Sequence, residues 1–228
     1  MKNCLPVILL SLCLFISEFS FGQHYGKRRT NTFAASAIIG TNFSQMNGDA
    51  SSGFDKVGMM GGLRGSIIFT ERHQLNIELI YSQKGSKLER QGYVFAGGQN
   101  EYIKVDYVDI PILFQVYPEK NNGKTYAEAG VYFGRNIRTK IEENVRDTSR
   151  YFAYAEIAPE FKSFEFGGVL GFGLKILKHF GLGARFSIAL TPLFHDEDFT
   201  IPETKLEPAE PVFRLQSYFL TAYAAYHF

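Results

Sequence analysis

Hydrophobic residues recur at every second position along much of this chain, in segments of 10–16 residues. Residues 74–84 show the pattern best. Leu75, Ile77, Leu79 and Tyr81 fall on one face, and Gln74, Asn76, Glu78, Ser82 and Lys84 on the other, with Ile80 the single exception. A two-residue period belongs to a β-strand whose faces meet different surroundings. In 107–116, Val108, Ile110, Ile112, Phe114 and Val116 oppose Tyr107, Asp109 and Gln115. In 180–190, Phe180, Leu182, Ala184, Phe186, Ile188 and Leu190 oppose Arg185 and Ser187. Helical periodicity is weak throughout. The pattern predicts eight strands, at about 33–43, 57–70, 73–84, 103–117, 124–138, 164–177, 180–191 and 213–228.

The connections alternate short and long. Glu71-Arg72, residues 118–123 and Lys178-His179 are short; 44–56, 85–102, 139–163 and 192–212 are long. An up-and-down sheet puts successive connections at opposite ends, so the short turns share one end and the long loops the other. That asymmetry, with an even strand count, is the pattern of outer-membrane barrels, with short periplasmic turns and long external loops. Strands this long exceed the usual soluble length of about 5–6 residues. They suit a tilted membrane-crossing strand of about 9–11 residues with overhang. The predicted fold is all-β: an eight-stranded antiparallel up-and-down transmembrane β-barrel. Eight strands leave a bore filled by side chains, which disfavours a wide pore.

Residues 1–22 carry Lys2, an apolar run from Leu5 to Ile16, and small residues Ser20 and Gly22 before Gln23. This is the layout of a cleaved signal peptide. The expected organisation is a signal peptide over 1–22, a periplasmic linker over 23–32 and a barrel over 33–228. Both cysteines, Cys4 and Cys13, fall in the first segment, so the mature chain would have neither disulfides nor a thiol nucleophile. With 24 Lys and Arg against 23 Asp and Glu, the net charge is +1, which does not suit a nucleic-acid binder. Gly26-Lys27-Arg28-Arg29 is too short a basic stretch to change that, and reads as a solvated linker. The mean hydropathy of −0.10 is what two opposite faces average to, and does not by itself mark a soluble domain.

In a membrane barrel the apolar faces point to lipid and the mixed faces point inward. Arg64, Glu78, Asp109, Glu128, Glu165, Lys175 and Arg185 sit mid-strand on those mixed faces. Buried unpaired charge is costly, so they are predicted to pair in an interior network. Tyr226 and Phe228 end an alternating strand, SYFLTAYAAYHF, in the manner of the signal that barrel-assembly machinery reads.

The order and spacing of several stretches carry a family resemblance. They include Ile39-Gly40-Thr41-Asn42-Phe43-Ser44, Gly58 to Gly65, and the most specific, Glu78-Leu79-Ile80-Tyr81-Ser82-Gln83-Lys84-Gly85. Tyr107-Val108-Asp109-Ile110-Pro111, Gly130-Val131-Tyr132-Phe133-Gly134, Gly171-Phe172-Gly173 and Ala184-Arg185-Phe186-Ser187 follow. The chain resembles the PorT-like outer-membrane β-barrel family, abundant in Bacteroidetes-type bacteria. The resemblance implies an outer-membrane barrel; one group of that family takes part in type IX protein secretion. Within this frame Pro111 suits a place where a ladder bond is missing.

Candidate chemistry is sparse. His73, His179 and His227 fall near the periplasmic rim, and His24 and His195 elsewhere. No strand shows a Ser and a His in register for interfacial hydrolysis, no Gly-x-Ser-x-Gly or His-Glu-x-x-His occurs, and an enzyme is not expected. His195-Asp196-Glu197-Asp198 is metal-like, but its spacing matches no known loop, so no metal or other cofactor is expected. The loops over 139–163 and 192–212 combine charges and aromatics. The expected role is therefore non-enzymatic: an envelope barrel presenting four external loops. Outer-membrane lipid or lipopolysaccharide, the barrel-assembly machinery and other envelope proteins are the expected partners. A secretion or transport assembly, a narrow pore and a lipid-modifying enzyme are the alternatives.

Overall fold

Each strand pairs with its sequence neighbour, because alternating faces joined by short turns favour local antiparallel hairpins. The computed structural model describes residues 32–47, 53–54, 56–88, 101–118, 124–142, 158–195 and 214–228. The strands are β1 (Phe33–Asn47), β2 (Lys56–Ile68), β3 (His73–Leu88), β4 (Glu101–Val116), β5 (Thr125–Glu142), β6 (Phe164–Lys175), β7 (Phe180–Ala189), β8 (Phe194–His195) and β9 (Arg214–His227). Eight of them, β1 to β7 and β9, form one antiparallel sheet, which closes where β1 pairs with β9. The two-residue β8 is an addition that sequence periodicity did not show; it pairs with the start of β9. The β2–β3, β4–β5 and β6–β7 connections lie at one end, and the longer ones at the other. The expected signal peptide, the linker up to residue 31, the basic stretch and Asp196 to Asp198 lie outside the described residues.

The strands run past their expected external ends: β1 to Asn47, β3 to Leu88 and β5 to Glu142. Pro111 sits beside a gap in the β3–β4 ladder, whose partners pass from Ile77↔Ile112 to Ile80↔Asp109. The β4–β5 register shifts between Asp106 and Tyr107, so Ile137 is a bulge residue between Asn136↔Tyr107 and Arg138↔Asp106.

The faces are inverted relative to a soluble barrel. Leu63, Leu79, Phe133, Leu170, Phe172 and Leu182 point outward and are exposed, while Arg64, Glu78, Lys84, Glu128, Glu165 and Arg185 are buried in the bore. Ile80, the exception to the alternation of β3, packs inside against Met60 and Tyr223. Leu170, at the middle of β6, is 65% exposed on the outer wall. Leu170→Arg is expected to destabilise the folded barrel by about 2–4 kcal/mol, the cost of a cation facing lipid near the midplane. The denaturant midpoint of barrels refolded in lipid vesicles checks this.

Candidate functional site

The bore is filled in layers. At the end with the short connections, a neutral chain links β2, β3 and β4. Ser66 Oγ donates to Asn76 Oδ1 (2.7 Å), Asn76 Nδ2 donates to Gln115 Oε1 (2.5 Å), and Gln115 Nε2 donates to the Tyr117 hydroxyl (2.8 Å).

Above it lies a cluster of two arginines and two glutamates drawn from four strands. Arg185 on β7 donates from Nη1 to Glu78 Oε2 (2.7 Å), from Nη2 to Glu78 Oε1 (2.8 Å), and from Nε to Glu128 Oε1 (2.6 Å). Arg64 on β2 donates from Nε to Glu78 Oε1 (2.7 Å) and lies 3.9 Å from Glu128 Oε2. The four charges cancel, as a desolvated network requires. Tyr223 completes the cluster: its hydroxyl donates to Glu128 Oε1 (2.9 Å), and the Arg185 guanidinium lies over its ring at 4.5 Å.

Three large tyrosines fit in the narrow bore because each faces a glycine across the ladder. The pairs are Tyr126↔Gly173, Tyr132↔Gly167 and Tyr223↔Gly183. A Cβ on Gly183 would run into the Tyr223 ring. Gly183→Val is therefore expected to cost about 1–3 kcal/mol by overpacking. The change should appear as a lower denaturant midpoint, and Gly168→Val, where a Cβ meets only open space, should cost less.

The next layer holds Lys84, fully buried. Its ammonium donates to Asp109 Oδ1 (3.1 Å) and Glu165 Oε1 (2.8 Å). Tyr132 and Ser217 hydroxyls also donate to Glu165, at 2.8 and 2.6 Å. The rings of Tyr107, Tyr132 and Phe219 surround the ammonium at 4.4, 4.6 and 4.5 Å. Between the two charged layers, Thr221 donates to Asn42 and Asn42 to Ser82. A cavity of about 30 Å³ remains there, bordered by Asp109 and Arg185 among others, which is room for about one water molecule. The end with the long connections is closed by Met46, Ile103, Val105, Tyr107, Leu193, Phe194 and Leu215, packed as an apolar plug.

Six of the seven residues assigned to an interior network from sequence thus come together, in two clusters: Arg64, Glu78, Glu128 and Arg185 in one, Asp109 and Glu165 in the other. Lys175 does not join them. It ends β6 at the rim with the short connections, and its ammonium lies over the Tyr117 ring at 4.7 Å. Lys84, absent from that assignment, is the hub of the second cluster; its signal was its shared parity with Glu78. A Ser and a His do meet across two strands, away from the lipid interface to which the expectation applied. Ser36 and His227 are partners across β1 and β9, with Ser36 Oγ 2.8 Å from His227 Nδ1. The pair faces the bore rather than lipid, and His227 Nε2 has no hydrogen-bond partner among the described residues, so no acid orients the imidazole. His179 Nδ1 bonds the His227 carbonyl (2.8 Å), while His73 stacks on Phe114. No group of three His, Cys, Asp or Glu suited to a metal occurs among the described residues. Tyr226 packs edge-on against Phe228 (5.5 Å) and Phe180 (5.1 Å) on the outer wall.

An apolar outer wall, a closed sheet and a charged bore define a membrane barrel, and the sequence matches the family described as outer membrane protein beta-barrel domain over residues 18–195. The chain belongs to that family. The match stops before β9, the strand that closes the barrel on both β1 and β7. No curated protein matches the sequence. Solved structures similar to it include Ail, the attachment invasion locus protein of Yersinia pestis, at 12% identity over 86% of this chain and 99% of that one, with a TM-score of 0.43. Neisserial surface protein A is 11% identical over 86% and 97%, with a TM-score of 0.45. OprG of Pseudomonas aeruginosa is 13% identical over 86% and 95%, with a TM-score of 0.40.

Outside the apolar band, the end of β5 carries its own ion-pair group. Lys104 and Lys140 donate to Glu142 at 2.6 and 2.8 Å, and these hydrogen bonds hold the exposed Glu142 carboxyl down to about 2. The group therefore stays ionised far into the acid range.

Proposed function

We propose that this member of the outer-membrane β-barrel family is a sealed, non-enzymatic envelope barrel that works through its outer wall and its four external loops. The observation that carries this reading is Arg185, which spans the bore from β7 to Glu78 on β3 and also holds Glu128 on β5. Among the described residues, the bore is crossed by these bonds and plugged by Leu193, Phe194 and Leu215, an arrangement that disfavours conduction. The reading includes export through a cleaved signal peptide, folding assisted by barrel-assembly machinery that reads Tyr226 and Phe228, and residence among outer-membrane lipid and lipopolysaccharide. The resemblance to the PorT-like barrels of Bacteroidetes-type bacteria supports contact with other envelope proteins, and membership of a type IX-like secretion assembly is its most specific form. Planar-bilayer recording tests the sealed barrel. Traces indistinguishable from bare lipid support it, and a reproducible unitary conductance contradicts it. Co-purification with large envelope partners tests the assembly.

A further inference from the structure

Three neighbouring strands change from apolar to charged at one level of the outer wall. Going outward, the half-buried outer face of β4 passes from Val108 to Asp106 and Lys104, the exposed one of β5 from Phe133 to Arg135, and the chain at the outer end of β6 from Phe164 to the exposed Lys162 that precedes the strand. The ladder aligns these points, since Arg135 pairs with Val108 on one side and Phe164 on the other. Asn136 N–H donates to the Ser163 carbonyl (2.8 Å), which keeps β5 and the approach to β6 together beyond that level.

The bulge then does something plain alternation cannot do. In an unbroken strand Arg135 and Arg138 would face opposite ways. The extra residue Ile137 reverses the parity, so that Arg135, Ile137, Arg138 and Lys140 all point outward and are exposed. Re-aiming side chains is a recurring use of bulges. The result is five outward cations, Lys104, Arg135, Arg138, Lys140 and Lys162, against two acids, Asp106 and Glu142. Glu142 is taken up by the two lysines, and Arg135 lies over the Phe164 ring (5.8 Å) rather than on a carboxylate. Immediately below stand exposed Phe133 and Phe164, with Phe166 against Phe133 at 4.9 Å.

We propose that the bulged outer face of β5, with Arg135 and Arg138 at its centre and Lys162 beside it, binds the phosphates of an outer-leaflet glycolipid of the lipid A class. This rests on the outer-membrane reading and adds a partner site to it. The occupant follows from position and charge. These cations stand at the upper edge of a wall that faces lipid, so a lipid headgroup is what they meet. Their excess positive charge calls for an anion, and the planar guanidinium fork matches phosphate oxygens in two-point contact. The rings beneath supply contact for acyl chains, and Ile137 stands between the two arginines.

Native mass spectrometry of the purified full-length barrel, with added diphosphoryl lipid A and its fully dephosphorylated form, tests the site. The wild type should retain the diphosphoryl lipid about tenfold better, and Arg135→Gln/Arg138→Gln should erase the difference, an effect typical of losing charge-assisted bonds. Glu142→Gln, which frees two lysines, should retain as much or more. Excess inorganic phosphate should not displace the lipid. Equal retention of the two lipids, an unchanged double variant, or displacement by phosphate would each overturn the site. Heat-modifiable migration on a denaturing gel reports folding separately, so a folded wild-type barrel that ignores both lipids rejects the site and leaves the barrel reading intact. Arg138→Gln alone serves if the double variant does not fold, and should then lower retention severalfold.

Discussion

Arg185→Leu is expected to destabilise the folded barrel by about 3–5 kcal/mol, the usual consequence of removing one partner from a buried ion pair. Arg185 makes three of the short bonds in its cluster, two to Glu78 and one to Glu128. Without it, Arg64 alone faces two carboxylates, and its 3.9 Å approach to Glu128 is too long to replace a 2.6 Å bond. One negative charge is then left in a bore with little room for water. Glu128→Gln added to Arg185→Leu removes that charge, so the double variant should be more stable than Arg185→Leu alone. Denaturant titrations of the three proteins in vesicles measure this coupling directly. An Arg185→Leu barrel as stable as wild type would mean that the bonds across the bore do not form.

Lys84→Met is the second large effect, again about 3–5 kcal/mol for the same reason. Among the described residues Lys84 is the cation that pairs with both Asp109 and Glu165, so its loss brings two carboxylates together without that counter-charge. Methionine keeps the length and the contact with Tyr107, Tyr132 and Phe219, which isolates the charge as the cause. The penalty should also depend on pH. One carboxyl can regain neutrality by taking a proton, so the variant should approach wild-type stability as pH falls, and equilibrium unfolding across pH shows whether it does. A pH-independent penalty would point to lost packing instead.

Parity alone located most of the bore. Glu78, Asp109 and Arg185 each lie between lipid-facing apolar residues, so once the wall is turned outward their place inside follows. What parity could not show has physical reasons. Beyond the bilayer, the outer face no longer needs apolar residues, so alternation fades while the ladder continues. That is why the alternation places the end of β3 at Lys84, making a central bore residue look like a strand terminus. Lys175 is the reverse case: its parity points inward, but its height leaves it at the rim. The Ser36–His227 pair depends on the register between the first and last barrel strands, a long-range closure that local pattern does not encode. The bulge at Ile137 is equally silent in sequence, because a single inserted residue between polar neighbours leaves no mark on hydropathy.

The central claim is the inverted wall, and cysteine labelling along β3 tests it most directly. The only native cysteines are Cys4 and Cys13, so replacing those two gives a clean background. Single cysteines are placed from Asn76 to Ser82 in barrels reconstituted in vesicles. Cysteines replacing Ile77, Leu79 and Tyr81 should react with a membrane-soluble maleimide and resist a charged one, while those replacing Asn76, Glu78 and Ser82 should resist both. Reaction of the Leu79 position with the charged reagent, together with lipid-side labelling at Glu78, would contradict the account.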